Sequence, residues 1–373
     1  SVTSAFTVQD SVMPSHSLLT GRKIIVGAAY DSEAGSNAGA AYVYQNNSFR
    51  KIVPPSSASN QYLTGQNQTM AFAVGLNKFV LATKDTSYNA TAYVHNAFND
   101  AIFHTYERSD FNADFTQSIA MSPEQSNPYI AFRLSGTDSN NARVSVVYSG
   151  SEQWYKVGPQ NDNMFGDSMA MSNSHLFVGH RTRDVGGSNS GQITKYRLSN
   201  GNQEAQIHGP SSNQQIGANL AVSTDRVVDG NFYDNSGANS NYKGSVSIYD
   251  HNLNLITKID SPSGNNSKFG SAIDVSGNRI VVGAEESPNV YVYDKNGNSV
   301  GTITGQSNHF GQYKGSIAVY GTDGNELIAI GEWLGDAEGS NYGDVYLYDG
   351  NLNLIGRLSG HDGGYFGSKV GIM

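Results

Sequence analysis

One sequence pattern returns along the whole chain: Phe-Gly, a short run, and then an apolar stretch that ends in Val-Gly-Ala. The clearest copy is FGSAIDVSGNRIVVGA at residues 269–284, followed by NVYVYD (289–294), an Asn-Gly turn and SVGTIT (299–304). The same order of segments recurs about every fifty residues, a period that is typical of a stacked or radial array of one supersecondary unit. The repeat therefore constrains the fold more than any single residue does.

Two independent anchors each count seven units. One anchor is the residue at which the second segment of a unit ends, and it falls at Gly27, Ala82, Phe132, Gly179, Asp229, Gly283 and Gly331. The other is the last aromatic residue of the third segment, and it falls at Tyr44, His95, Tyr148, Tyr196, Tyr249, Tyr293 and Tyr348.

Each unit predicts four short strands. In the clearest unit the third and fourth strands are joined by YDKNGNS (293–299), whose Asn-Gly pair is a strong hairpin signal. The chain has 42 Gly and 22 Tyr, and no window shows convincing helical spacing, so the composition favours an all-β protein. Four antiparallel strands repeated seven times predict a seven-bladed β-propeller around a central channel.

The two ends of the chain predict how the ring closes. The N-terminal unit has no Phe-Gly segment before it, whereas the C-terminus ends on an extra one, YFGSKVGIM (365–373). We expect this segment to pair with residues 23–29, because that pairing completes a blade and removes an exposed strand edge. A single propeller then spans residues 16–373, and residues 1–15 form an N-terminal arm or an extra strand.

Charge and composition exclude several classes of partner. The formal net charge of −9 disfavours nucleic acid and anionic lipid, so we expect no nucleic-acid partner. The chain has no cysteine, which excludes disulfides and thiolate metal sites. No signal peptide is visible, and no apolar stretch approaches the roughly 18 residues of a membrane span, so we expect no membrane insertion.

The Phe-Gly and Val-Gly-Ala segments resemble the FG-GAP repeat of the integrin α-subunit head, which implies a seven-bladed propeller. The resemblance covers nearly the whole chain; it is clearest at 24–44, 165–196, 269–294 and 310–348 and weak at 70–148. Integrin-type repeats usually carry a calcium loop between the first and second strands. The corresponding connections here, such as VSGNR (275–279), lack the oxygen ligands that calcium requires. Only Asp323 and Glu326 could contribute ligands, so we expect no bound metal and no cofactor.

A second resemblance concerns the style of the repeat. A Gly-Ser-Asn-x-Gly element precedes a Tyr-rich strand in 30–44, 183–196 and 338–349. This style is similar to propeller repeats encoded by marine cyanobacterial phages, in which such propellers are virion structural or fibre-like components. The resemblance implies a non-enzymatic protein of the virion, with other virion proteins and a host-surface glycan as partners. The alternative is a secreted bacterial lectin or adhesin at the cell surface.

Most of the conspicuous aromatic residues are predicted to be structural. The tyrosine pairs Tyr42/Tyr44, Tyr291/Tyr293 and Tyr346/Tyr348 recur at one place in the unit, which indicates packing between blades. The four Phe-Gly phenylalanines also recur, at the start of inner strands. The exception is Trp333, which follows the second strand of the last unit and lies near Asp336 and Glu338 in the sequence. An aromatic platform with adjacent carboxylates is typical of carbohydrate sites, so we predict ligand binding by Trp333, Asp336 and Glu338. The alternative is that Trp333, as a lone tryptophan, is a packing residue.

No catalytic motif stands out. The nine histidines are dispersed over different units, without metal-ligand spacing. The Asp-x-Asn-x-Asn elements, such as 294–298, are interpreted as hairpin turns. A propeller hydrolase or quinone-dependent dehydrogenase remains a third class, which carboxylates and histidines clustered in the channel would favour. We expect recognition at the face that holds the variable loops 30–40, 183–191, 231–244 and 333–343.

Overall fold

The structure is a computed structural model, and it describes residues 17–28, 31, 39–46, 48–53, 72–84, 90–99, 101–108, 118–134, 142–159, 164–236, 241–335, 342–360 and 364–373. In this part of the chain a 3-10 turn at Ser17–Leu19 precedes 28 strands, which form seven antiparallel sheets of four strands. None of the described segments forms a helix with the length and apolar character needed to span a membrane.

The strands follow one another in chain order, with turns or loops between them. The first eleven are β1 (Ile24–Ala28), β2 (Ala40–Gln45), β3 (Ser48–Ile52), β4 (Phe72–Val74), β5 (Lys78–Lys84), β6 (Ala90–Asn96), β7 (Ile102–Arg108), β8 (Ile119–Met121), β9 (Ile130–Leu134), β10 (Arg143–Tyr148) and β11 (Ser151–Val157). The next eight are β12 (Met169–Met171), β13 (His175–Gly179), β14 (Gln192–Arg197), β15 (Gln203–His208), β16 (Leu220–Val222), β17 (Val227–Asn231), β18 (Ser245–Tyr249) and β19 (Leu255–Asp260). The last nine are β20 (Phe269–Ser276), β21 (Arg279–Ala284), β22 (Asn289–Tyr293), β23 (Ser299–Thr304), β24 (Ile317–Tyr320), β25 (Leu327–Glu332), β26 (Asp344–Asp349), β27 (Leu354–Ser359) and β28 (Phe366–Ile372).

The seven sheets are the blades of a ring. Blade 1 contains β28, β1, β2 and β3 in that order, and blades 2 to 7 each take four consecutive strands, from β4–β7 to β24–β27. The first strand of every blade lines a central channel, and the fourth strand lies at the periphery. The protein is therefore an all-β, seven-bladed β-propeller, as the repeat predicted.

Blade 1 closes the ring by joining the two ends of the described chain. Strand β28 pairs antiparallel with β1, with Ile24 opposite Ile372 and Ala28 opposite Phe366. All seven residues of β28 are buried. The expected pairing of the last segment with residues 23–29 is thus confirmed. The predicted N-terminal arm, residues 1–15, lies outside the described residues.

Glycine pairs allow neighbouring blades to approach closely. A Cβ placed on Gly331 of β25 would lie 1.9 Å from the carbonyl oxygen of Gly367 in β28. Gly367 has a φ of 89°, a left-handed conformation that favours glycine. The same contact recurs at the pairs Gly179/Gly217, Gly230/Gly270 and Gly283/Gly311. The glycines of the repeat are therefore required where two backbones touch.

Two predicted anchors each lie one residue before the equivalent position in the structure. In blade 7 the N–H of Gly331 donates to the carbonyl of Ser316, and in blade 5 the equivalent donor to Asn219 is Gly230, not Asp229. In blade 3 the equivalent donor to Ser118 is Arg133, one residue after the predicted anchor Phe132. Both shifts arise because the equivalent position is set by contacts between strands and blades, and not by where the apolar run of the second strand ends.

Several first strands are shorter than the sequence pattern predicts. The segment FGDSMAM (165–171) contributes only β12, which begins at Met169. The phenylalanines of the four clearest Phe-Gly segments are all buried: Phe165, Phe269, Phe310 and Phe366. Their predicted structural role is confirmed.

The tyrosine pairs also pack inside the ring. Tyr42 meets Phe366 edge-on, with ring centroids 5.5 Å apart. Tyr44 belongs to a buried cluster that includes Leu327 and Leu347 of blade 7, so it packs between blades 1 and 7. This arrangement confirms the predicted packing between blades.

The Asp-x-Asn-x-Asn elements form one repeated hairpin turn. In blade 6, Asp294 Oδ1 accepts the N–H groups of Asn296 and Asn298 at 2.8 and 2.9 Å, and Asp294 Oδ2 accepts the Asn298 side chain at 2.8 Å. The turns at Asp250 and Asp349 have the same bonds. The predicted role of these carboxylates as turn formers is confirmed.

Candidate functional site

The connections between second and third strands meet those between blades at one end of the ring, which we call the loop face. In blade 4, Ser188 and Asn189 accept the N–H groups of Asn213 and Gln215 at 2.8 and 3.0 Å. Gly191 then forms a parallel bridge with Ile216. The Gly-Ser-Asn-x-Gly element at 187–191 is therefore a clasp between blade 4 and the start of blade 5.

The clasp recurs at other places on the loop face. Tyr242 and Lys243 accept backbone N–H groups from Lys268 and Phe269, and Tyr342 accepts the N–H of Phe366. These connections are thus held by backbone hydrogen bonds to the next blade. Of the loops predicted to form the working face, residues 30, 32–38, 237–240 and 336–341 lie outside the described residues.

Trp333 is packed within the loop face. Its side chain is only 8% exposed, and its indole N–H donates to Gln312 Oε1 at 2.9 Å. Its ring meets His309 at 5.2 Å and Tyr365 at 5.1 Å, both edge-on, and Tyr313 at 5.9 Å. Trp333 therefore supports an aromatic cluster, which we define as His309, Tyr313, Trp333 and Tyr365, and presents little surface of its own.

Two carboxylates, Asp336 and Glu338, were predicted to bind a ligand together with Trp333. Asp336 and Glu338 lie outside the described residues. Glu332, the residue before Trp333, is buried and accepts the hydroxyl of Ser307 at 2.6 Å. Ligand binding by Trp333, Asp336 and Glu338 stays a prediction.

Other aromatic side chains of the loop face are partly exposed. These residues are Phe232, Tyr233, Tyr242, Tyr313, Tyr342 and Tyr365. Charged groups accompany them: the guanidinium of Arg181 lies 4.7 Å from the ring centre of Tyr233, and Lys268 pairs with Glu285 at 2.8 Å. Burial raises the pKa of Tyr313, and the nearby Glu285 raises it further. Aromatic rings beside charged side chains offer a ligand both an apolar surface and hydrogen-bonding groups.

The axial channel contains a cavity of about 270 Å³, lined by the first strands of all seven blades. Its wall is largely apolar, with methionine, alanine, valine and isoleucine. Among the described residues that line it, Asp274 is the one carboxylate, and none is a histidine. The described part of the chain also has no group of three or more potential metal ligands.

One position of the inner strands carries a recurrent polar residue. It is occupied by Ser118, Ser168, Asn219, Ser316 and Lys369 in five of the blades. Ser168 Oγ accepts the N–H of Leu220 in the next blade at 2.6 Å, and the Asn219 side chain donates to Ser271 of the next blade at 3.0 Å. Short polar side chains at this position therefore join neighbouring blades.

Lys369 departs from this pattern. Its side chain is 5% exposed, and no described residue offers its ammonium a hydrogen bond. Burial lowers the pKa of Lys369 to about 7, and the charge of Lys314 lowers it too. The neighbouring backbone leaves room for this side chain, because a Cβ on Gly315 would lie 2.7 Å from Lys369 Cδ.

Two more cations reach the same end of the channel. Lys314 comes from the connection before blade 7, yet its ammonium donates to the carbonyl of Asp167 in blade 4 at 2.9 Å, so it spans the channel. Burial lowers the pKa of Lys314 to about 8; Arg133 lowers it as well, whereas Asp167 opposes the shift. Arg133 is itself buried and donates through Nε to the carbonyl of Phe165 at 3.2 Å.

Two acids of the ring have raised pKa values. Asp274 accepts the N–H of Val319 in the next blade at 2.7 Å, and burial raises its pKa to about 7. Asp229 accepts the N–H of Gly217 at 2.9 Å, and burial raises its pKa to about 8. Both carboxyl groups accept hydrogen bonds from neighbouring backbone segments, and desolvation disfavours the charged form of each.

The cations of the channel were missed at the level of sequence, although a signal was present. Lys369 occupies a position where other units have serine, asparagine or alanine, and Arg133 occupies one where five units have glycine. A residue that departs from its repeat in charge is a candidate for function, and these departures become visible once the register is known.

Comparisons with known proteins extend the description of the fold. No protein-family model matches the chain, and no curated protein matches it. A structure from an analysis of two prolyl endopeptidases aligns with a TM-score of 0.54 and 11% identity, covering 93% of this chain and 51% of that one. A eukaryotic initiation factor aligns with a TM-score of 0.44 and 8% identity, covering 87% of this chain and 84% of that one.

These similarities concern the fold alone. The chain spans about half the length of the prolyl endopeptidase structure, at an identity that carries no information about activity. The protein belongs to the class of seven-bladed β-propellers with four-stranded blades.

Proposed function

We propose that this protein is a non-enzymatic structural component of a virus particle of the marine-phage type, which binds host-surface carbohydrate through the loop face. The observation that carries the proposal is the set of partly exposed aromatic side chains on that face, among them Tyr233, Tyr242, Tyr313 and Tyr365. Sugar rings have apolar faces that stack on aromatic groups, while their hydroxyls need polar partners at the edge.

The aromatic cluster gives this surface a fixed geometry. Trp333 contacts Tyr313 and Tyr365, which come from the connections that precede blade 7 and β28 respectively. A buried indole between two partly exposed tyrosines limits their rotation, so less conformational entropy is lost on binding. Trp333 then acts as a positioning residue, and the tyrosines are the contact residues.

The repeat style supports the assignment to a particle. FG-GAP-like units with Gly-Ser-Asn-x-Gly elements are similar to phage-encoded propellers, and here one such element clasps two blades through backbone bonds. A closed ring with clasped loops provides a rigid platform for docking on other virion proteins. Its fixed surface suits repeated display on a capsid or tail.

The location is tested by proteomics and immunogold labelling of purified particles. We expect the polypeptide in the particles at a fixed copy number and at one place on them. Recovery from the culture medium of a cell with an intact secretion system, and absence from particles, would support a secreted lectin or adhesin in place of a virion protein.

Binding is tested on a glycan array with Tyr313→Ala and Tyr365→Ala. Loss of one stacking contact of about 1.4 kcal/mol weakens affinity about tenfold. Tyr155→Ala is the matched control, because Tyr155 is 52% exposed but lies on the outer strand β11. Trp333→Phe tests positioning without opening a large cavity. Equal binding by the wild type and both tyrosine variants would exclude this face as the carbohydrate site.

A further inference from the structure

The channel end of the loop face gathers positive charge in a chain whose net charge is negative. Lys369 and Lys314 line one cavity. The charge of Lys314 lowers the pKa of Lys369, and the charge of Arg133 lowers the pKa of Lys314. Two ammonium groups so placed repel each other, and burial strengthens that repulsion because water no longer screens it. Such an arrangement is stabilised by an anion between them.

The described surroundings supply little negative charge. Asp167 acts on Lys314, but its carboxylate also pairs with Arg181 at 2.9 Å. Asp274, the carboxylate of the channel wall, is bonded to the Val319 N–H, and its pKa of about 7 leaves it partly neutral. Among the described residues, the charge of Lys369 is therefore uncompensated.

A second polar group faces the same cavity without a partner. Ser118 lines the channel, its side chain is 4% exposed, and its hydroxyl oxygen makes no hydrogen bond within the described part of the chain. A buried hydroxyl without a partner loses free energy, so buried polar groups normally have one. Ser118 and Lys369 hold equivalent positions on the inner strands of blades 3 and 1.

We propose that the axial channel binds a tetrahedral oxyanion, a sulfate or phosphate group, held by the Lys369 ammonium, the Lys314 ammonium and the Ser118 hydroxyl. The cavity of about 270 Å³ has room for such a group and for water. A lysine ammonium binds these anions as a point charge with three N–H donors. The guanidinium of Arg133 adds positive potential at the same end. This proposal does not depend on carbohydrate binding at the tyrosines.

Isothermal titration of the whole protein with inorganic sulfate tests the site. We expect Lys369→Met, which keeps the length and apolar stem of the side chain, to weaken sulfate binding by about tenfold or more, because a charge-assisted hydrogen bond is lost. Lys369→Arg should keep binding within a few-fold. The matched control is Lys295→Met, since Lys295 lies in the β22–β23 turn at the opposite end of the ring and pairs with Asp225. Equal sulfate affinity in the wild type and Lys369→Met would overturn the proposal.

A pH titration of the lysine Cε signals of the wild-type protein, followed by NMR, gives a second readout. It does not depend on whether the Lys369 variants fold. Sulfate keeps its charge between pH 6 and 9, so it isolates the protein groups. We expect the Lys369 signal to titrate near pH 7 without sulfate and at higher pH with it, because an anion favours the charged ammonium. A midpoint unchanged by millimolar sulfate would contradict the site.

The source of the oxyanion is resolved by two ligands compared side by side. Inorganic sulfate and galactose 6-sulfate carry the same group, and only the second is part of a larger molecule. Tighter binding of the sugar sulfate, lost in Lys369→Met, indicates that the channel anchors a group of a ligand at the loop face. Equal binding of the two indicates a site for the free anion.

Discussion

The glycine contact between blades leads to a quantitative prediction for Gly331→Ala. The new Cβ would lie 1.9 Å from the oxygen, 2.9 Å from the carbonyl carbon and 3.2 Å from the Cα of Gly367. All three atoms belong to the backbone of β28, so no side-chain rotation relieves the clash. Either blade 1 moves away from blade 7, or β28 shifts against β1.

The magnitude follows from the cost of overpacking. Extra methyl groups in a packed core cost about 1–3 kcal/mol, and a backbone contact places this variant near the upper end, at about 3 kcal/mol. The unfolding entropy of globular proteins is roughly 2.1 cal/mol/K per residue, so a chain of 373 residues loses about 4 °C in Tm. Urea unfolding, followed by tryptophan fluorescence, and thermal unfolding, followed by circular dichroism, measure the two quantities.

Gly264→Ala is the matched control. A Cβ at Gly264 meets no atom within 4 Å, and this glycine is exposed. We expect its free energy of unfolding to stay within about 0.5 kcal/mol of the wild type. A Gly331→Ala protein as stable as Gly264→Ala would refute the reasoning, because it would mean that neighbouring blades separate without cost.

Three further outcomes are expected. Burial raises the pKa of Asp229 to about 8, so the stability contributed by its neutral form is lost as pH rises from about 4 to 8. The free energy of unfolding in urea should therefore fall by about 1.4 kcal/mol per pH unit in that window, and Asp229→Asn should remove this slope. An unchanged slope in the variant would contradict the prediction. The side-chain hydrogen bond from Asn254 lowers the pKa of Asp250, so the ionised carboxylate stabilises its turn. Asp250→Ala should therefore lower Tm at pH 7, and the Tm values of variant and wild type should converge as pH falls below about 4. A Tm difference that does not change with pH would show that the charge of Asp250 does not stabilise the turn. Deletion of residues 364–373 leaves the edge of β1 unpaired, so the truncated chain should lose its cooperative unfolding transition; a sharp transition near the wild-type Tm would show that closure by β28 is dispensable.

Repetition explains why so much of the fold could be predicted. Because the pattern recurs seven times, the features that the units share can be told apart from the features of a single unit. The first segment that is missing at the N-terminal unit also matches the extra segment at the C-terminus. The pairing of β28 with β1 follows from that complementarity, whereas its register, with Ala28 opposite Phe366, is seen only in the structure. Hairpin turns were equally predictable, because an Asp-x-Asn-x-Asn turn is formed by residues within five positions of one another.

What could not be predicted depends on contacts between units. Asp229 and Gly230 both follow the apolar residues of β17, so either could be the anchor of this unit. Only the contact with the backbone of Gly270 identifies Gly230 as the equivalent position. Trp333 has no partner in its own segment that would indicate burial, since Gln312 and Tyr365 reach it from the preceding and following connections. Lys369 was overlooked for a related reason: a repeat draws attention to what its units share.

The closure of blade 1 has a consequence for the order in which the protein is made. The hydroxyl of Ser368 donates to the carbonyl of Gly27, a residue 341 positions earlier. Strand β1 leaves the ribosome long before its partner is synthesised, so blades 2 to 7 have time to assemble while the first sheet waits with three strands. During that interval the nascent chain presents an open edge to its surroundings, and its vulnerability to aggregation ends only when translation delivers β28.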